Sequence, residues 1–269
     1  MSQLEKFPGL VSALRGELTP KFLATRSGEG LPNVVPCISL RPAEDQEDVL
    51  FFGNFLLRKS IRNLQEDQRL AILVSTPELK GWILQGDFME FQRTGPYVDF
   101  QKGSSHLRYN AYTGVRNAGL IRVTRVASTF SRSKLQVLKD YLLARLAAWA
   151  HREEGETGPD GVSIPLAVQR EFARMAAVKC LAWIGPDGYP QVIPSLSLQP
   201  GGQTKLVCWK TSGLSCPPAE ALVAANVLTS EAVSYQAKGC WLPSKRSAAI
   251  QVAEIYAGGP PYPGGRIVP

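Results

Sequence analysis

The residues best suited to chemistry form a short basic run, Leu57-Arg58-Lys59-Ser60-Ile61-Arg62, the densest local concentration of positive charge in the chain. Arg58 offers a planar fork of donors that suits a phosphate, and Lys59 offers a point charge. The residues that follow predict a short helix over 59–66, which puts both cations at its start. Cations there oppose the positive end of the helix dipole unless an anion is present. The conflict points to a bound anion, which the first free amides of the helix and the Ser60 hydroxyl could help to hold.

Other chemistry is sparse. Cys37, Cys180, Cys208, Cys216 and Cys240 are odd in number and widely spaced, with no CxxC pair, and the two histidines, His106 and His151, lie far apart. A zinc site needs about four convergent nitrogen or sulfur ligands, so no metal is expected and the cysteines read as small buried hydrophobes. No Ser/His/Asp or Cys/His arrangement stands at useful spacing, which leaves no general acid or base to name. The loop 103–114, rich in Ser, Arg, Tyr and Gly and containing His106, could line a substrate entrance, although such composition also suits plain solvation.

The elements that would position the basic run emerge from an internal repeat. Residues 21–53 and 179–211 align without a gap at an offset of 158 and share eleven of 33 positions, from Lys21/Lys179 through Gly30/Gly188, Pro36/Pro194 and Ser39/Ser197 to Val49/Val207. Each copy reads as strand, tight turn, strand, loop and strand. Glu29-Gly30 and Asp187-Gly188 are turn dipeptides. The alternation in 33–40 and 191–198 gives strands with one buried face. Pro36 and Pro194 lie inside them, where a residue without an amide donor needs an edge, a bulge or a ligand beside it.

Helices are expected before each copy, over 3–15 and 165–177, the second with Pro165 in its first turn. Strands are expected at 48–52, 70–76, 81–92 and 120–128, then at 206–209, 231–239 and 247–257. Between the copies, 133–152 carries Leu135, Leu138, Leu142, Leu146 and Trp149 at helical spacing and reads as a long amphipathic helix. The polar, Gly-rich 153–159 reads as a linker, and the last twelve residues as an extended tail. The fold class is mainly β with peripheral helices (α+β), as two tandem β-barrels. The units run over 1–130, a helix and linker over 131–160, and a second barrel over 161–269.

The ordered set Gly30-Leu31-Pro32-Asn33-Val34-Val35-Pro36, then Leu50-Phe51-Phe52-Gly53-Asn54-Phe55-Leu56-Leu57-Arg58-Lys59, then Asn63-Leu64 and 70–74, resembles the pyridoxamine 5′-phosphate oxidase-like FMN-binding split barrels. The resemblance covers roughly 20–130, with 177–257 as a diverged copy. It implies a six-stranded split barrel paired with a second one, here within one chain, and FMN in the groove between them. It also implies that Arg58 and Lys59, with Ser60, bind the FMN phosphate, that Phe52-Gly53-Asn54 ends the strand leading to them, and that the flavin ring lies along Val35-Pro36-Cys37. Phe52, Trp82 and Trp183 are candidate apolar walls that also suit a core.

Departures limit the carry-over. The oxidases have an Arg where Val35 stands, a Lys where Leu40 stands and a Ser where Leu57 stands, so pyridoxamine phosphate oxidation is not expected. At constant offset, Cys216-Pro217-Pro218 stand opposite Arg58-Lys59-Ser60, and the second groove is expected to be degenerate. The resemblance implies an FMN-dependent oxidoreductase of undetermined substrate and electron donor. A non-catalytic flavin-binding or sensing module is an alternative, as is a split barrel using a deazaflavin or haem.

Bulk properties are compatible with these readings. The 269 residues are 44% hydrophobic, enough for buried cores, and the net charge of +7 is spread along the chain with no long basic run. Nucleic acid is therefore not an expected partner. Neither a membrane-length apolar stretch nor a secretory signal is present, and a cytoplasmic location is the expectation. The pairing of the two copies leaves association between chains open.

Overall fold

A computed structural model describes residues 2–54, 57–103, 115–153, 162–258 and 264–267, the side chains of 151–153 excepted. The first half contains α1 (Leu10–Arg15), β1 (Lys21–Arg26), β2 (Pro32–Pro36), β3 (Arg41–Pro42), β4 (Val49–Gly53) and α2 (Arg58–Glu66). It continues with β5 (Arg69–Ser75), β6 (Lys80–Gln92), α3 (Pro96–Gly103) and β7 (Ala118–Ser131). The long helix α4 (Lys134–Glu153) leads to the second half: α5 (Leu166–Ala173), β8 (Val178–Ile184), β9 (Pro190–Pro194), β10 (Gln199–Pro200) and β11 (Lys205–Trp209). Then come β12 (Leu222–Leu228), β13 (Ser234–Pro243) and β14 (Ser247–Ala257).

Each half folds into one seven-stranded antiparallel sheet, ordered β2-β1-β5-β6-β7-β4-β3 and β9-β8-β12-β13-β14-β11-β10. The strand orders are the same, so the repeat is structural as well as sequential. Each sheet has one strand more than the resemblance implied, because a two-residue strand (β3, β10) pairs at its end. Both copies use the same internal ties. Lys21 Nζ donates to the carbonyls of Gly16, Ile38 and Leu40 at 2.8–3.2 Å, and Lys179 Nζ to that of Leu196 at 3.4 Å. Ser39 Oγ accepts from the Gly53 amide and Ser197 Oγ from the Trp209 amide. These side chains serve backbone groups of the loop after β2 or β9, of the end of α1 and of β4 or β11, and so tie the elements together.

Strand register corrects the alignment. Arg41 pairs with Phe51, but Gln199 pairs with Val207, so the offset falls from 158 to 156 across the loop between these strands. Val207 therefore matches Phe51 instead of Val49, and Leu214-Ser215-Cys216 stand opposite Arg58-Lys59-Ser60. The segment 211–221 contains no helix, so α2 has no counterpart in the second half.

Other boundaries moved for local reasons. The first helix is confined to α1, because Gly9 takes a left-handed φ of 82° immediately before it. β2 and β9 stop at Pro36 and Pro194, where no donor continues the ladder. β12 and α3 were not expected. The described part of the tail is tied to β14: Ile267 donates its amide to the Ile255 carbonyl, and Arg266 bridges Tyr256.

The two sheets share a core. Phe22, Ala24, Val34, Ala71 and Leu73 pack in one cluster with Trp183, Val192, Ala225 and Val227. β2 lies against β12, and its counterpart β9 lies against β5, as a twofold relation between the halves requires. Helix α4 lies over β10 and β11 on Tyr141, Ala144 and Ala148, where small residues allow a close approach to Val207 and Ala249. The leucine stripe read from the sequence thus faces away from the protein. Among the described residues, no helix is long and apolar enough to cross a membrane.

Candidate anion groove between the barrels

α2 begins without a cap. Leu57 occupies its N-cap position with no side-chain hydrogen bond, and its first turn carries no acidic residue. The Ile61 amide, bonded to the Leu57 carbonyl, is the first paired within the helix, which leaves the amides of Arg58, Lys59 and Ser60 free of intrahelical partners. A buried polar network seats this end. Asn33 Nδ2 donates to Ser60 Oγ at 3.0 Å, and Asn63 Nδ2 donates to Thr25 Oγ1 at 3.0 Å. The helix start is thereby tied to β1 and β2.

The second barrel supplies the opposite wall. Lys59 Nζ lies 4.0 Å from the centre of the Tyr256 ring on β14, and Lys238 Nζ, on β13, lies 5.9 Å from the same ring. Burial, then the neighbouring Lys59 ammonium, lowers Lys238 to about 7, with Glu254 pulling in the opposite direction. Tyr256 donates its hydroxyl proton to Glu254 Oε2 at 2.8 Å, and burial and this bond push its own ionisation up to about 12. Arg58 is exposed and forms no ion pair among the described residues. Two lysine side chains that converge on one aromatic ring, beside helix amides without intrahelical partners, form a donor set suited to a phosphate.

The remaining expected site residues are placed as follows. Val35 and Pro36 are half-buried on the edge strand β2, whereas Cys37 is buried and burial pushes its thiol up to about 12. The preceding carbonyl, of Val34, is already engaged by the second barrel. Asn226 Nδ2 reaches it at 3.2 Å and Gln236 Nε2 at 2.5 Å. Phe52 turns its ring into the core, edge-on to Phe91, so only its backbone could meet a ligand. Gly53 is buried beneath Gln101, whose Oε1 would stand 3.1 Å from an added Cβ, and the half-buried Asn54 donates its amide to the Asn117 carbonyl. Trp82 and Trp183 are core residues. His106 lies outside the described residues, as does the side chain of His151.

Sequence reading overlooked Lys238, Tyr256 and Glu254, which belong to the copy expected to be degenerate. Their only signal was register. Lys238 and Glu254 occupy the positions of Gln85 and Arg125 in the first barrel, a pair joined by a 2.5 Å hydrogen bond.

No protein-family model matches the chain, and no curated protein does. Solved structures do. HupZ of Group A Streptococcus is 21% identical, with a TM-score of 0.37, over 46% of this chain and 98% of its own. An FMN-binding protein of Syntrophomonas wolfei is 14% identical, with a TM-score of 0.39, over 49% of this chain and 88% of its own. HutZ, the heme storage protein of Vibrio cholerae, is 16% identical, with a TM-score of 0.33, over 48% and 94%. The architecture is mainly β: two tandem split barrels, each an antiparallel sheet of the same strand order, packed about a pseudo-twofold axis.

Proposed function

We propose that this protein binds FMN in the groove between its barrels, with the phosphate on the α2 amides, Arg58, Lys59 and Lys238, and serves as an FMN-dependent oxidoreductase. The observation that carries the reading is the convergence of Lys59 and Lys238 on the Tyr256 ring at an uncapped helix start. Two half-buried lysines that meet at one ring resist carrying charge together until an anion joins them. Bound flavin would supply the redox chemistry, and the protein its binding and electronic environment. Val35 and Pro36 border the β2 edge along which the ring would lie. The second groove lacks a helix start and a cation at 214–216, so one flavin per chain is expected.

The test is the absorbance spectrum of the purified protein, followed by FMN titration of the stripped protein. Flavin bands and saturation at one equivalent, both lost in the Arg58→Ala/Lys59→Ala double variant, support the proposal. A colourless protein that takes up no added FMN overturns it.

A further inference from the structure

Helix α4 presents Leu135, Leu138, Leu142, Leu146 and Trp149 to solvent, each between 41% and 78% exposed. Their spacing is 3, 4, 4, 3, which reads identically in both directions from Leu142. At 3.6 residues per turn all five lie within about 40° of the direction of Leu142. Lys139 and Arg145, also equidistant from Leu142, border the stripe on opposite sides at about 60°. A stripe with this symmetry is complementary to itself when a second copy runs antiparallel. Leu135 then meets Trp149, Leu138 meets Leu146, and Leu142 meets its own counterpart on the twofold axis, which is an isologous contact.

We propose that the outer face of α4 is a dimerisation surface and that its occupant is the same face of a second copy of this chain. The five side chains expose roughly 500 Å² of apolar surface, at the upper end of what a monomer's largest patch reaches. Two such stripes face to face would bury roughly 1,000 Å², where specific interfaces begin. The apolar surface also continues beyond the stripe. Trp149 and Leu166 of α5 line one cleft of about 470 Å³, at whose mouth Leu135 of the second copy would arrive. The axis keeps the two Lys139 side chains on one flank and the two Arg145 side chains on the other, with no carboxylate between them. Pairing should therefore tighten as salt screens them, the opposite of cation-driven attachment to an anionic membrane. The contact uses no residue of the anion groove, so its fate is independent of flavin binding.

Light scattering and sedimentation of the full chain test the proposal. The expected mass is twice 29.3 kDa, with a larger dimer fraction at higher ionic strength. Leu142→Glu and Leu142→Lys should each halve the mass while leaving circular dichroism unchanged. Mixing the two variants in equal amounts should restore the dimer, because position 142 meets itself across the axis. The proposal is overturned by a wild-type chain that stays at 29.3 kDa at the highest attainable concentration. A dimer that survives Leu142→Glu, or a mixture that stays monomeric, overturns it equally. So does a monomer whose α4 binds vesicles containing phosphatidylglycerol, which would assign the stripe to a lipid surface.

Discussion

Lys59 Nζ stands 4.0 Å above the Tyr256 ring, across the seam between the two barrels. The ring and the helix start come from residues 197 positions apart in the chain, and only the pairing of the halves brings them together. An aromatic face beneath an ammonium holds the cation in place without neutralising it, which leaves its charge for an anion. Replacing Tyr256 by Leu should weaken FMN binding by about 3- to 30-fold, the equivalent of a partly desolvated cation–π contact. Flavin fluorescence titration measures this, and an unchanged dissociation constant would remove the ring from the site.

Proton uptake should accompany anion binding. In the free groove Lys238 titrates near 7, and a phosphate beside it would favour its charged form. FMN affinity should therefore rise as pH falls from about 8.5 towards 7, with protons taken up in that range, and level off below 7 apart from titration of the phosphate itself. Lys238→Met should flatten the profile, and inorganic phosphate used as a competitor should show the same dependence. Calorimetry in buffers of different ionisation enthalpy reads the proton directly.

Stability should depend on pH through the paired buried lysines. Burial lowers Lys179 to about 7 and Lys21 to about 8. Between these values and the ordinary 10.5, the unfolded chain binds more protons than the folded one, so unfolding free energy rises with pH across that window and is flat below it. For Lys179 alone the gain from pH 7 to pH 9 is on the order of 2 kcal/mol. Urea denaturation of the wild type and of Lys179→Met, compared at the two pH values, isolates it. A parallel change in both proteins would show that Lys179 stays charged when folded.

The matching bulges of β6 and β13 require glycine. A Cβ on Gly86 would lie 2.4 Å from the Arg122 carbonyl oxygen, and one on Gly239 would lie 1.9 Å from that of Gln251. Either Ala substitution should cost at least about 2 kcal/mol, because the clash is with backbone in a paired strand. Gly103→Ala, where an added Cβ meets nothing within 4 Å among the described residues, should be tolerated. Thermal melts of the three variants rank them.

The seam should be sensitive to the amides that reach the Val34 carbonyl. Asn226 and Gln236 occupy positions where the first barrel has Leu73 and Ile83, so only one side of the twofold carries this polar contact. The double variant Asn226→Leu/Gln236→Leu leaves a buried carbonyl unpaired and should cost about 1–3 kcal/mol. Chemical denaturation checks it, and each single variant should cost less than the pair.

Much of the architecture was legible in the residues because its determinants are local. The Gly30 and Gly188 turns and the recurring Lys and Ser positions were legible in this way, whereas Pro36 and Pro194, read as lying inside strands 33–40 and 191–198, end β2 and β9 instead. The basic start of α2 was legible for the same reason, since cations at a helix N-terminus conflict with its dipole wherever it is packed. The offset change after β3 was not legible, because a two-residue deletion in a loop leaves each flanking strand's pattern intact and only pairing exposes the shift. α4 was recognised as a helix, but its apolar stripe did not reveal which way it faced. Tyr141, Ala144 and Ala148 form a second apolar face, and the flat surface at Val207 and Ala249 admits the alanines more closely than the leucines.

By itself, then, the amino-acid order determined the repeat, the strand-rich class and the basic start of α2, all of which follow from short-range sterics, hydrophobic periodicity and helix electrostatics. Tertiary structure decided which residues of the second copy face Lys59, because Lys238, Glu254 and Tyr256 lie on strands whose side-chain direction is set by register across the whole sheet. It also decided that Phe52 serves the core and that the leucines of α4 remain uncovered. These outcomes depend on which surfaces compete for contact, and that competition exists only once the sheets are assembled.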